Sequence, residues 1–188
     1  MNNSVTVLAF VGMPGAGKGL CVEYLEQKGW PSVYLGGITV DEVKARGLEV
    51  NEINEKMVRE ELRASGGMGV MATRTIPKID KLADEGNTVV VADGIYSWTE
   101  YKLFKEKYGD NAVIIAVVAP RRLRHERLAH RPVRPLTPEQ VTSREYAEIE
   151  NTEKGGPIAN ADFTVLNNGD REQTYAQLEH ILDELHLP

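Results

Sequence analysis

Short apolar runs recur along the chain, and each is followed by a longer stretch with the amphipathic pattern of a helix. The runs lie at 5–11, 88–92, 113–118 and 163–166, and the segment 30–37 has the character of a further short strand that ends in a turn. Strands that alternate with helices form parallel sheets with helices on both faces. The pattern therefore predicts an α/β fold.

Several predicted helices begin with a pair of residues that can cap the helix reciprocally. In such a capping box, a Ser or Thr side chain and a Glu or Gln side chain three residues later accept hydrogen bonds from each other's backbone N–H groups. The pairs are Thr39 with Glu42, Ser97 with Glu100, and Thr137 with Gln140. Two more helices, at 51–65 and 69–84, are predicted to form a helical insert.

The composition bounds the domain organisation. The chain has 188 residues, of which 41% are hydrophobic, enough for one well-buried core and too few for two ordinary domains. We expect a single domain over 1–188. Its predicted parts are a core at 1–35, 86–130 and 138–188, a helical insert at about 36–85 and a lid at about 131–137.

The chain has neither an apolar run of the roughly 18 residues that a membrane span needs nor a signal-like N-terminus. We therefore expect a cytoplasmic protein without a membrane partner. Cys21 is the single cysteine, which excludes an internal disulfide and favours a small buried side chain.

A glycine-rich loop carries the strongest functional signal. Residues Gly12 to Gly19 read G-M-P-G-A-G-K-G directly after the first apolar run. This spacing matches G-x-x-x-x-G-K, in which backbone N–H groups turn toward phosphate oxygens and the lysine reaches the outer phosphates. The predicted nucleotide-binding residues are Gly12, Pro14, Gly15, Ala16, Gly17, Lys18, Gly19 and Leu20. A Ser or Thr hydroxyl usually follows the lysine and meets Mg²⁺, but here that position is Gly19.

Asp93 is the candidate metal ligand. It follows the strand at 88–92 and precedes Gly94. Ligands of doubly wound sheets bind beyond the carboxyl ends of the strands, so the loops at Gly12, Gly36, Asp93 and Pro120 are expected to converge on one crevice. Asp93 is predicted to hold Mg²⁺ through water beside the phosphates, and the alternative is an ordinary turn aspartate.

A basic segment stands out because the chain as a whole is acidic, with a net charge of −6. The acidic balance and the absence of interleaved aromatic residues argue against nucleic acid as a partner. Prolines interrupt regular structure at the end of the segment and predict a short lid, whose arginines can neutralise charge and exclude water during phosphoryl transfer. The arginines are Arg121, Arg122, Arg124, Arg127, Arg131 and Arg134.

These arginines divide into two groups. Arg127, Arg131 and Arg134, at the helix end and in the lid, are predicted to be functional, with Arg127 among the residues that bind the nucleotide. The three earlier arginines are predicted to be surface residues whose stems cover the core. Arg144, on the next helix, either faces the same crevice or pairs with Glu148 four residues later.

With the loop, the Asp93-Gly94-Ile95 turn and the arginine lid, the chain resembles adenylate-kinase-like P-loop nucleotide kinases. It looks most like an uncharacterised adenylate-kinase-related group known best from archaea, over nearly its whole length. The resemblance implies a P-loop NTPase fold of three α/β/α layers with a parallel five-stranded sheet. It further implies ATP phosphates over Gly12–Gly19, an acceptor site under the helical insert and a lid that closes with Arg131 and Arg134.

The chain departs from this family at the lysine and at the acceptor site. Kinases of this type usually have a threonine at the position of Leu20, an aspartate at Gly37 and an arginine at Val40. Similar proteins place another arginine where this chain has Tyr96. The arginines that would bind an acceptor phosphate are therefore missing, and Arg74 is either a replacement or a surface residue.

These observations predict a small-molecule kinase that uses ATP and Mg²⁺ and transfers the terminal phosphoryl group to a nucleotide-like or other small acceptor. Lys18 would stabilise the transferring group, and Asp93 would position Mg²⁺. The residues that would neutralise developing charge are Arg131, Arg134 and Arg144. Two alternatives stay open: a dephospho-coenzyme A kinase-like acceptor, and a nucleotide-binding module without catalysis that serves a protein partner.

Overall fold

Five parallel strands form the central sheet in a computed structural model that describes residues 5–132 and 135–188. The strands are β1 (Thr6–Val11), β2 (Ser32–Tyr34), β3 (Val89–Asp93), β4 (Ala112–Val118) and β5 (Phe163–Leu166). Their order across the sheet is β2-β3-β1-β4-β5, with every neighbouring pair parallel. The predicted five-stranded parallel sheet is confirmed.

Helices follow the strands, as the alternating pattern predicts. They are α1 (Lys18–Gln27), α2 (Gly37–Ala45), α3 (Glu52–Gly66), α4 (Val70–Asp84), α5 (Trp98–Tyr108), α6 (Arg121–His130), α7 (Pro138–Glu150), α8 (Gly155–Ala159) and α9 (Arg171–Glu184). The two predicted helices of the insert are α3 and α4, each shifted by only a residue or so. Helix α8 was not predicted.

Two of the three predicted capping boxes are present. Ser97 and Glu100 cap α5, and Thr137 and Gln140 cap α7, with both reciprocal hydrogen bonds in each case. The prediction for Thr39 is wrong, because α2 already begins at Gly37. Thr39 lies inside that helix, where its buried hydroxyl is 4.0 Å from the sulfur of Met71 on α4.

The sheet carries an apolar core on each face because successive strand residues point to opposite sides. On one face, Val7, Ala9 and Val11 pack in the same core as residues of α2, α4 and α5, including Ile79 and Phe104. On the other face, the core contains Leu8 and Phe10 together with residues of α1 and α9, including Cys21, Leu25, Leu178 and Ile181. The three-layer α/β/α architecture is thereby confirmed.

The carboxyl ends of the strands meet at one edge of the sheet. Phe10 of β1 is in register with Asp93 of β3, and Tyr34 of β2 is in register with the same aspartate. The chain passes from β1 to one edge of the sheet and later crosses to β4, so the glycine loop after β1 lies where the strand order reverses. Among the described residues, no helix has both the length and the apolarity that crossing a bilayer requires.

The fold predicts that alanine substitutions of two apolar residues in helices have very different effects on the free energy of unfolding. Phe104 on α5 is fully buried in the core, whereas Ile53 on α3 is 80% exposed. Phe104→Ala should lower the free energy of unfolding by about 3–5 kcal/mol because it leaves a cavity. Ile53→Ala should change it by less than about 0.5 kcal/mol. Urea denaturation of both variants measures the difference, and equal effects would contradict this packing.

Candidate nucleotide and acceptor site

The glycine loop is fixed against the ends of β4 and β5. Gly17, the N-cap of α1, has a left-handed backbone with φ +95°, which favours glycine. A Cβ atom on Gly17 would collide with the amide nitrogen of Asn167, and one on Gly12 would collide with the carbonyl oxygen of Val117. Glycine at these two positions therefore allows the loop to lie directly against Val117 and Asn167. The loop ends at the N-terminus of α1.

Lys18 lies across the loop. Its Nζ donates a hydrogen bond of 2.8 Å to the carbonyl oxygen of Gly12. Burial and, second, the positive charge of Lys154 lower the pKa of Lys18 to about 8, while Glu148 and Asp93 oppose this shift. An additional negative charge in the crevice would therefore stabilise the Lys18 ammonium group.

Asp93 ends β3 and is partly buried. Burial raises its pKa, and the charge of nearby Lys18 counteracts that rise. Within residues 5–132 and 135–188, no group of three or more His, Cys, Asp or Glu side chains is arranged to hold a metal. Asp93 and Glu148 are the two carboxylates whose charges raise the pKa of Lys18.

Arg124 holds the outer side of the glycine loop. The prediction that it is a surface residue is wrong, since Arg124 is 9% exposed. Its guanidinium donates to the carbonyl oxygens of Pro14 at 3.3 Å and Ala119 at 3.2 Å, and it forms an ion pair with Glu145 of α7. Glu145 has a buried carboxylate, which explains why a charged side chain on α6 turns inward. Arg121 and Arg122 are exposed, as predicted.

Arg127 and Asn167 bind the same loop from α6 and from the end of β5. Arg127 donates to the carbonyl oxygens of Gly15 and Ala16, each at 3.4 Å, and to Asn167 Oδ1 at 3.2 Å. Asn167 donates to the carbonyl oxygen of Ala16 at 2.9 Å. Both side chains border a cavity of about 280 Å³ whose lining also includes Gly17, Leu20, Gly169, Asp170 and Arg171.

The remaining predicted arginines have different positions. Arg131 is partly buried directly after α6, and Arg134 lies outside the described residues. Arg144 pairs with Glu148 at 3.2 Å, and its charge also acts on Lys18. The predicted pair with Glu148 is therefore present, and the orientation of Arg144 toward the crevice stays a prediction. Arg74 is an exposed residue that pairs with Glu42 at 3.2 Å.

A buried group of charged residues that acts on Lys18 was not predicted from the sequence. Lys154 is only 1% exposed and forms an ion pair with Glu148, and its Nζ lies 4.6 Å from the ring centroid of Tyr96. Burial lowers the pKa of Lys154, and Glu148 opposes this shift. Burial alone would raise the pKa of Glu148, but Lys154 holds it below its usual value. Lys154 follows a helix end with no periodic pattern around it, so the sequence offered little signal for its burial.

Glu100 completes this group on α5. One carboxylate oxygen accepts hydrogen bonds from the N–H groups of Tyr96 and Ser97. Burial raises the pKa of Glu100 to about 7, although these hydrogen bonds and the charge of Arg63 lower it. The capping-box pattern predicted Glu100 as a helix cap and gave no indication of its burial beside the crevice.

The sequence has well-matched relatives. A UPF0200 protein of Thermococcus kodakarensis is 37% identical over 182 residues, which cover 95% of this chain and 97% of that protein. The chain belongs to the UPF0200 family. A second UPF0200 protein, from Thermococcus gammatolerans, is 34% identical over 95% of both chains. No protein-family model matches this UPF0200 chain.

Solved structures share the fold of this UPF0200 protein. The Thermus thermophilus protein TT1252 has a TM-score of 0.67 at 19% identity, covering 96% of this chain and 98% of that one. Shikimate kinase from Bacteroides thetaiotaomicron has a TM-score of 0.63 at 14% identity, with 97% and 99% covered. Dephospho-CoA kinase from Campylobacter jejuni has a TM-score of 0.54 at 13% identity, with 96% and 97% covered. The fold is therefore that of P-loop kinases.

Two glycines of the loop should respond oppositely to alanine. Gly17→Ala should lower the free energy of unfolding by about 1–3 kcal/mol because of its left-handed backbone and the contact with Asn167. Gly19→Ala should raise it by about 0.4–1 kcal/mol, because Gly19 is helical and its Cβ would meet nothing within 4 Å. Urea denaturation of the protein without nucleotide measures both, and a tolerated Gly17→Ala would contradict this loop geometry.

Glu100 predicts a pH dependence of stability. Its carboxyl titrates near pH 4.5 when unfolded and near pH 7 when folded, so the folded state binds the proton more tightly. Stability should therefore fall as the pH rises through this window, by on the order of 3 kcal/mol. Glu100→Gln keeps a residue that suits the capping box and should remove this part of the decline. Thermal unfolding at pH 5, 6 and 7 provides the measurement, and parallel declines would contradict the assignment.

Proposed function

We propose that this UPF0200 protein is an ATP-dependent phosphotransferase that acts on a small molecule. The observation that carries the proposal is Lys18, held on the glycine loop at the N-terminus of α1 and interacting electrostatically with Asp93. A helix N-terminus, a ring of loop amides and a lysine together favour the phosphates of a nucleotide. The kinase fold supports the same class of reaction but does not identify the acceptor.

The charged side chains around the crevice have distinct roles in this proposal. Lys18 leaves the carbonyl oxygen of Gly12 and binds the outer phosphates of ATP. Arg131, Arg134 and Arg144 neutralise charge that develops on the transferring group. Arg127 and the cavity beside Gly17 and Leu20 are proposed to accommodate the rest of the nucleotide.

Asp93 is the residue that fits Mg²⁺. It is a carboxylate at the end of β3; burial raises its pKa, and the charge of Lys18 opposes that rise. Gly19 and Leu20 offer no hydroxyl group. We therefore propose that Asp93 would hold Mg²⁺ through water molecules beside the phosphates. The bound ion would supply charge neutralisation at the phosphates.

The proposed division of labour follows the segments of the chain. The insert at about 36–85 covers the acceptor, and the segment at about 131–137 closes over ATP as a lid. The acceptor is nucleotide-like or another small molecule. A dephospho-coenzyme A-like acceptor is the second candidate, favoured by the fold shared with a dephospho-CoA kinase.

A nucleotide-binding module without catalysis is the competing function. The missing hydroxyl at Gly19-Leu20 favours it, since kinases with this loop usually use that group on Mg²⁺. In that case the nucleotide would set the position of the lid for a protein partner. Lys18, Asp93 and the arginines of the predicted lid, all present in the sequence, favour the kinase.

One experiment separates these functions. Calorimetry measures ATP binding with and without Mg²⁺, and the same samples are then assayed for ADP with a panel of acceptors that includes nucleoside monophosphates and dephospho-coenzyme A. ADP formation that depends on one acceptor would support the kinase. Micromolar ATP binding without turnover on any acceptor would reject the kinase in favour of the module.

Two lysines on the first helix provide a matched test of the proposed chemistry. Lys18→Met should lower acceptor-dependent ADP formation at least 100-fold, because it removes the charge at the outer phosphates. Lys28→Met, at the far end of the same helix, removes an exposed pair with Glu179 and should change the rate less than twofold. Steady-state rates of both variants decide the matter. Comparable losses in the two variants would be inconsistent with the proposed role of Lys18.

A further inference from the structure

The buried charges that act on Lys18 belong to a polar cluster inside the protein. We call it the Lys154 site, and it consists of Arg63, Tyr96, Glu100, Glu148 and Lys154. The site joins the helical insert to the core, because Arg63 lies on α3 while Glu100 lies on α5 and Glu148 on α7. Lysine is rarely fully buried unless it is paired, and a paired lysine still loses much hydration.

The described contacts leave Lys154 with capacity for another partner. An ammonium group can donate three hydrogen bonds. Within the described residues, Nζ donates one to Glu148 and lies 4.6 Å from the centroid of the Tyr96 ring. The charges of Lys154 and Lys18 also disfavour each other. A negatively charged group placed between them would relieve that repulsion.

Two more buried polar atoms point to a missing partner. Arg63 Nε and Glu100 Oε1 are buried, and neither has a hydrogen-bond partner among the described residues. Glu100 itself is 0% exposed. Tyr96 connects Glu100 to Lys154, because its N–H donates to Glu100 Oε2 at 2.6 Å and its ring centroid lies 4.6 Å from Lys154 Nζ. The charge of Arg63 lowers the pKa of Glu100 against the effect of burial. Leaving such atoms without partners is costly, and native structures usually satisfy them.

The chemistry of these groups defines the ligand that would satisfy them. Arg63 and Lys154 are donors, so they require the oxygens of an anion. Ionised Glu100 is an acceptor, so it requires a hydroxyl or another donor. The Tyr96 ring gives the site an apolar side. Its hydroxyl lies 3.4 Å from the hydroxyl of Tyr34, which lies at the end of β2.

We propose that the Lys154 site binds the acceptor through an anionic group, with Lys154 and Arg63 donating to its oxygens and Glu100 accepting from an acceptor hydroxyl. The acceptor is therefore a small hydroxylated carboxylate or phosphate ester. This assignment rests on the proposed kinase function and names its substrate class. Lys154 and Arg63 act as substrate-binding residues.

The test uses the full chain loaded with Mg²⁺ and a non-hydrolysable ATP analogue, so that the glycine loop is already filled. Inorganic phosphate and malonate are then titrated separately by calorimetry. Phosphate represents a phosphorylated acceptor and malonate a carboxylated one. Binding of at least one anion is expected, and the anion that binds more tightly identifies the source of the negative charge.

Three variants locate the binding site. Lys154→Met combined with Glu148→Gln removes both charges of the buried pair, and the only other ion pair among the described residues that it breaks is the one between Glu148 and the exposed Arg144. Arg63→Met tests the site from the insert and leaves the ion pair intact. The double variant and Arg63→Met should each weaken anion binding at least tenfold. Lys78→Met is the matched control, because Lys78 is an exposed lysine of the insert that pairs with Asp41, and it should bind the anion as the unaltered protein does.

The outcomes separate this assignment from the kinase proposal. The assignment of the Lys154 site is overturned, while nucleotide binding stands, if the analogue binds and neither anion does. The same conclusion follows if the double variant and Arg63→Met both bind the anion with unchanged affinity. If the analogue does not bind the unaltered protein, the kinase proposal itself fails, and the acceptor assignment fails with it. Circular dichroism confirms that each titrated variant is folded, and Arg63→Met serves alone if the double variant does not fold.

Discussion

The glycine loop depends on donors that bind its carbonyl oxygens from behind. Arg124 binds the carbonyl of Pro14, Arg127 binds those of Gly15 and Ala16, and Asn167 binds that of Ala16. With the carbonyl oxygens held on that side, the first N–H groups of α1, which have no acceptor within the helix, remain available to a ligand. Because these donors come from α6 and from the end of β5, the shape of the loop depends on the packing of both elements against it.

The charged side chains around this loop include paired arginines and buried lysines. Arg124, which binds the loop, pairs with Glu145, whereas burial lowers the pKa values of Lys18 and Lys154. In our proposal, a nucleotide brings negative charge to Lys18 and an anionic acceptor brings it to Lys154, which links the proposed reaction to the proposed acceptor chemistry.

The sequence predicted the sheet, the glycine loop and the helices of the insert, because apolar periodicity and glycine spacing are local signals. It misassigned Arg124 because its partner Glu145 is 21 residues away in sequence, and it misassigned Thr39 because α2 begins at Gly37. It missed the Lys154 site because a buried ion pair between α7 and the turn before α8 becomes visible only when the helices pack. Tyr96 replaces an arginine of similar proteins, and in the fold the centroid of its ring lies 4.6 Å from the ammonium nitrogen of Lys154.

A crystal structure with Mg²⁺ and a non-hydrolysable ATP analogue tests the central claim most directly. We expect the phosphates to lie on the amides of the loop and Lys18 Nζ to have moved from the carbonyl oxygen of Gly12 to the outer phosphates. We expect Mg²⁺ to lie within one water molecule of Asp93. A nucleotide bound elsewhere, or one bound while Lys18 stays on Gly12, would contradict it.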